Sequence, residues 1–106
     1  MEIEFDNVFK KDSINLPLNI KRAISTLVSE VQKSESLKSI AGIKKLKGSK
    51  SHFRVRLGDY RIGLYLDKDK VVFSRALHRK DIYKYFPWAG LKKGLTLENI
   101  KTRNFA

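Results

Sequence analysis

The 106-residue chain is 42% hydrophobic, enough for one modest core, and it is too short for two domains. It has no cysteine, which excludes disulfides and thiolate metal sites, and its apolar runs fall short of the ~20 residues that span a bilayer. The formal net charge is +12 and is unevenly spread. Residues 1–36 carry five Lys/Arg against six Asp/Glu, and residues 37–106 carry eighteen against five. A one-sided excess of this kind suits a polyanion. Nucleic acid fits better than a membrane surface, which would prefer a basic amphipathic helix, whereas here the basic residues fall on expected strands. The acidic, alternating start Met1–Asp6 is unlike a signal peptide, so the cytoplasm is the expected compartment.

Glu2–Asp6 alternates polar and apolar residues and predicts a short strand. A short helix is expected over about 7–14. Pro17 suits the first turn of a second helix, whose apolar stripe is Ile20, Ile24, Leu27, Val28 and Val31 and whose end lies near Ser34. The Ser-, Lys- and Gly-rich stretch 35–51 reads as a loop, tethered by Ile40, Ile43 and Leu46. Phe53, Val55 and Leu57 alternate with Arg54 and Arg56. Gly58-Asp59 marks a two-residue hairpin with glycine first, and Ile62, Leu64 and Leu66 then alternate with Arg61, Gly63 and Tyr65. A turn at Asp67–Lys70 leads into a third strand ending at His78, completing an antiparallel meander. A helix over 79–86, stopped by Pro87, and one more short helix from Thr96 complete the expected elements.

With a two-residue loop at Gly58-Asp59, Arg56 pairs with Arg61 and Arg54 with Gly63, so period-two alternation puts all three arginines on one face. Val55, Ile62 and Leu64 line the other face, under the helices. Carried through the second turn, the register sets Ser74 opposite Gly63 and Ala76 opposite Arg61. That gives a floor of small residues, with His78 at its end. Arg75 then falls on the core face, which an edge position or a bulge would explain. Like charges directly across a sheet are destabilising. Three arginines on one face of a short hairpin therefore indicate phosphate binding rather than ordinary solvation.

The segments Lys45–Gly48, Phe53–Ile62 and His78–Tyr83 together resemble the running signature of RelE/ParE toxins, and the resemblance covers residues 1–87. It implies one α+β domain of β-α-α-β-β-β(-α) order, akin to small microbial ribonucleases, with an antiparallel sheet and helices packed on one face. Residues 88–106 are then a C-terminal extension. The resemblance also implies a metal-independent messenger-RNA endoribonuclease that needs no cofactor and works on the ribosome under control of a cognate antitoxin. Carried over residue by residue, the site is Arg54, Arg56 and Arg61 on the hairpin, then Arg79, with Tyr83 or Tyr85 as the tyrosine. Lys45, Lys47, Lys50, Lys80 and Lys84 are expected to hold the RNA backbone.

Arginine stabilises charge but is a poor general base. Histidine is the side chain suited to proton transfer near neutral pH, so His78 is the natural candidate, or else a strand-end histidine bonded to backbone. His52 is expected to be merely exposed. Tyr83 and Tyr85 are two apart and cannot share a helical face, so one is expected to pack while the other faces the groove. No acid–histidine cluster suggests a metal. Two other functions stay open, a gyrase poison of the ParE type and a non-catalytic nucleic-acid-binding module, for which Tyr65 would be the stacking aromatic.

Overall fold

The apolar stripe of the long helix is what the sheet folds around. In the computed structural model, which describes residues 1–86, Ile20, Ile24, Leu27 and Val31 of that helix are buried. They meet Val55, Ile62, Leu64, Val71, Phe73 and Ala76 from the inner face of the sheet. The elements run β1 (Glu2–Phe5), α1 (Asn7–Ile14), α2 (Leu18–Lys33), β2 (Ile43–Lys45), β3 (His52–Leu57), β4 (Tyr60–Asp67), β5 (Lys70–His78) and α3 (Ile82–Tyr85), with a 3₁₀ turn at Leu37–Ser39. The C-terminal extension, including the helix expected from Thr96, lies outside the described residues.

The five strands are ordered β1-β5-β4-β3-β2. The expected α+β architecture holds, with two refinements of detail. β1 joins β5 in parallel, so the sheet is mixed rather than wholly antiparallel. The stretch read as a loop also contributes a short edge strand, β2, opposite Phe53–Val55. A Lys- and Ser-rich composition hides a three-residue strand, because at an edge only one side needs apolar contacts.

The β3–β4 hairpin has the expected register, with Arg56 opposite Arg61 and Arg54 opposite Gly63. Gly58 opens its turn at φ 61°, a conformation that favours glycine. Between β4 and β5 the register departs from expectation. Leu64 pairs with Phe73 but Gly63 pairs with Arg75, leaving Ser74 as an extra residue on β5. The bulge flips the parity beyond it. Arg75, not Ser74, lies opposite Gly63; Leu77, not Ala76, lies opposite Arg61; Ala76 joins the core.

Packing of the helices also divides between the two faces. α1 and α2 cover the core face, with Phe9 of α1 against the rings of Phe5 and Phe73. α3 lies on the opposite, arginine-bearing face, where Ile82 and Phe86 bury themselves against Leu46 and Leu77. Gly63 is what admits it. A Cβ there would come within 2.7 Å of the Phe86 ring.

Leu27 and Val55 sit at the centre of the main core. Leu27→Ala and Val55→Ala are each expected to lower unfolding free energy by about 1–4 kcal/mol, measured by urea denaturation.

Candidate RNA-binding and cleavage site

The side chains facing away from α1 and α2 follow directly from strand parity. On β3 they are His52, Arg54 and Arg56; on β4, Arg61, Gly63 and Tyr65; on β5 past the bulge, Arg75 and Leu77. On β2, Lys44 is paired with Arg54 and joins this face, whereas Lys45 is paired with Phe53 and points to the other. The lysine that extends the basic face is therefore Lys44, one residue from the expected Lys45. Lys47 and Lys50 are exposed in the β2–β3 connection, and Lys80 is exposed in the turn before α3. Lys84 is exposed on α3 and reaches Asp81 at 3.4 Å.

Arg61 and Arg54 are oriented by backbone carbonyls, those of the hairpin turn for Arg61 and that of the turn before β2 for Arg54. Arg61 Nη1 donates to Gly58 O (2.7 Å) and Tyr60 O (3.0 Å). Arg54 Nη1 donates to Gly42 O (3.2 Å), while its Nε donates to the Tyr83 hydroxyl (3.1 Å). Arg79 backbone N–H donates to Asp59 O (2.7 Å), and its Nε lies 3.5 Å from the Asp59 carboxylate. Arg56 is exposed. Partial burial first, then repulsion from Arg54 and Arg56, pulls the Arg61 pKa below its usual 12.5, against an opposing pull from Tyr83 and with a last, smaller push from Arg79. Arg61 is nonetheless charged at any physiological pH.

Two expectations about this face need correction. His78 pairs with Tyr60, so it lies on the side opposite Arg61, packed edge-on against the Tyr60 ring, and its Nδ1 accepts the Lys80 backbone N–H (3.1 Å). The bulge at Ser74 shifted its parity. The helix expected from Arg79 begins only at Ile82; the Arg79 N–H still pairs with Asp59 O across the end of the sheet. Within α3 the two tyrosines separate as their spacing requires, Tyr83 toward Arg54 and Tyr85 toward Arg75, although both stay about half exposed.

His52, expected to be merely exposed, is half-buried on the arginine face between the rings of Tyr65 and Phe86. Parity with Arg54 was the available signal. The Ser49 hydroxyl accepts the backbone N–H groups of Ser51 and His52 (3.2 and 3.1 Å) and lies 2.7 Å from His52 Nδ1. With its acceptor sites so used, it donates to Nδ1, which assigns the ring proton to Nε2. Burial lowers the His52 pKa below 6.5 and so favours this neutral ring. Tyr65 is pushed the other way, to about 12, by burial and then by Asp6, Asp67 and Glu4. It keeps its proton.

No family model matches the sequence. It is 42% identical over 88 residues to Toxin RelE3 of Methanocaldococcus jannaschii, covering 82% of this chain and all of that protein. The chain belongs to the RelE toxin family. The crystal structure of the RelB–RelE antitoxin–toxin complex from Methanococcus jannaschii superposes with a TM-score of 0.70 at 42% identity, covering 79% of this chain and 99% of that one. The archaeal RelE–RelB complex from Pyrococcus horikoshii shares the fold at 18% identity, with a TM-score of 0.64 over 76% of this chain and 97% of that one.

The His52 shift sets a pH dependence. Because the folded state resists protonating this ring, the stability it contributes is complete above pH 6.5 and is lost as pH falls below 6.5 toward the lower, folded-state value. Thermal melting between pH 7.5 and 5.0 should show a smaller fall in Tm for His52→Gln than for the wild type. Equal falls would assign the acid sensitivity elsewhere.

Proposed function

We propose that the chain is the toxin of a toxin–antitoxin module and that it cuts messenger RNA in the cytoplasm, on the ribosome. The observation that carries this reading is the convergence of Arg54, Arg56, Arg61 and Arg79 with the Tyr83 hydroxyl at one end of the sheet. Among the described residues, Arg54, Arg56 and Arg61 make no ion pair with a carboxylate. Concentrating unneutralised like charge costs stability, and an incoming phosphate removes that cost.

The reaction that suits these groups is attack by a ribose 2′-oxygen on the adjacent phosphorus. The O2′–P bond forms as the P–O5′ bond breaks, leaving a 2′,3′-cyclic phosphate and a free 5′-hydroxyl. One proton leaves the 2′-oxygen and one reaches the 5′-oxygen. The guanidinium groups stabilise the charge that builds on the phosphorane, and such electrostatic stabilisation usually accelerates a reaction of this kind more than any other single effect. Tyr83 accepts a hydrogen bond from Arg54 Nε, so its own hydrogen is left to donate to a phosphoryl or leaving oxygen. The arginines are charge stabilisers, not proton acceptors. Lys44, exposed beside Arg54, and the Lys47 and Lys50 loop extend the basic surface along which an RNA backbone runs.

The described residues include no group of three or more His, Asp or Glu side chains placed to hold a metal, and no described helix is long and apolar enough to cross a membrane. The RelB complexes of the relatives support a cognate antitoxin here too, one whose acidic or helix-forming segment lies across the arginine face or displaces α3.

Arg61→Ala should reduce the rate of message cleavage by roughly 10²–10³-fold while melting within a few degrees of the wild type, because Arg61 faces away from the core. Tyr83→Phe should reduce the rate as well. The measurement is mapping of message ends after induction, run beside a DNA supercoiling assay. Growth arrest with intact messages and altered supercoiling in the wild type would replace this reading with gyrase poisoning.

A further inference from the structure

α3 has four residues, too few to hold a helical conformation alone, yet it carries the Tyr83 hydroxyl. Ile82 and Phe86 anchor its inner side. Its outer end is held by a different device. The Arg75 guanidinium lies 5.1 Å from the centre of the Tyr85 ring. Arg75 is itself immobilised by Asp12 of α1, with Nε to Oδ2 at 2.9 Å and Nη2 to Oδ1 at 3.1 Å, and Asp12 Oδ2 also accepts the Ala76 backbone N–H at 2.9 Å. The Arg75 and Asp12 side chains are only 22% and 11% exposed. A forked, largely dry ion pair of this kind fixes the plane of the guanidinium as well as its position. Arg75 is on this face because of the Ser74 bulge, and its charge is already matched.

We propose that Asp12 and Arg75 form a positioning pair for the reaction. They hold the guanidinium plane as a platform for the Tyr85 ring, which fixes α3 and so keeps the Tyr83 hydroxyl on Arg54. Asp12, Arg75 and Tyr85 are thus positioning residues, and Tyr85 acts through its ring and not its hydroxyl. The rate arm of the test rests on the ribonuclease reading above; the exchange arm does not.

The full-length toxin is tested on ribosomes carrying a message, in single-turnover assays over a range of toxin concentration. Arg75→Met and Tyr85→Leu should lower the maximal cleavage rate roughly tenfold while the concentration for half-maximal rate stays about the same. Tyr85→Phe should cleave at close to the wild-type rate, since a phenyl ring retains the cation–π contact. In parallel, hydrogen exchange at the Lys84 and Phe86 amides, bonded to Asp81 O (3.0 Å) and Ile82 O (2.8 Å), should accelerate in Arg75→Met and Tyr85→Leu while the α2 amides are unchanged. Tyr85→Leu leaves the Asp12–Arg75 pair intact, so it serves if Arg75→Met does not fold. Unaltered exchange in α3 would overturn the proposal, as would a Tyr85→Phe protein as slow as Tyr85→Leu. If the wild type cuts no message while α3 exchange still responds, the ribonuclease reading fails and the positioning of α3 by this pair stands.

Discussion

The register of the β3–β4 hairpin is the constraint on which both faces of the sheet depend. Gly58 in a left-handed conformation closes the turn in two residues, which places Val55 and Ile62 over the α2 stripe and Arg54, Arg56 and Arg61 on the reverse. A slip of one residue would exchange the two sets and bury three guanidiniums without partners. The same pairing that forms the core therefore assembles the basic face. Opposing Arg56 with Arg61 is tolerated because the apolar contacts on the other side of those strands hold the register.

The electrostatics of that face are arranged so that charge is oriented without being neutralised. Carbonyls of the turns take the hydrogen bonds of Arg54 and Arg61, and carbonyls fix direction without cancelling charge. The carboxylates sit at its margins. Asp59 meets Arg79 in an exposed pair, worth little in water, and Asp12 is committed to Arg75 of β5. Donors aimed in advance and left charged are the condition for electrostatic preorganisation toward an anion.

One inserted residue, Ser74, reorganises the rest. Beyond the end of β1 the outer edge of β5 has no strand partner among the described residues, and Asp12 takes the Ala76 N–H there. The bulge at the same point turns Arg75 to the arginine face, where it bridges α1 to α3. Tyr83 thus rests on a helix of only four residues, with Gly63 giving Phe86 room to anchor it. Local opening of α3 costs less than unfolding of the sheet.

The amino-acid sequence by itself determined the helices of residues 7–14 and 18–33, the hairpin and the shared face of Arg54, Arg56 and Arg61. Each of these depends on a local period or a single turn type, and both are written in consecutive residues. Only the tertiary structure decided the side on which Arg75, Leu77 and His78 project, because a bulge changes parity without leaving a mark in composition. It also decided that Lys44, and not Lys45, extends the basic face, since β2 exists as a strand only by pairing with β3. Composition could not place His52 against Phe86 or separate the roles of Tyr83 and Tyr85. Those depend on where α3 docks, and the docking is set by the absence of a side chain at Gly63 and by Asp12, a residue 63 positions before Arg75 in the chain.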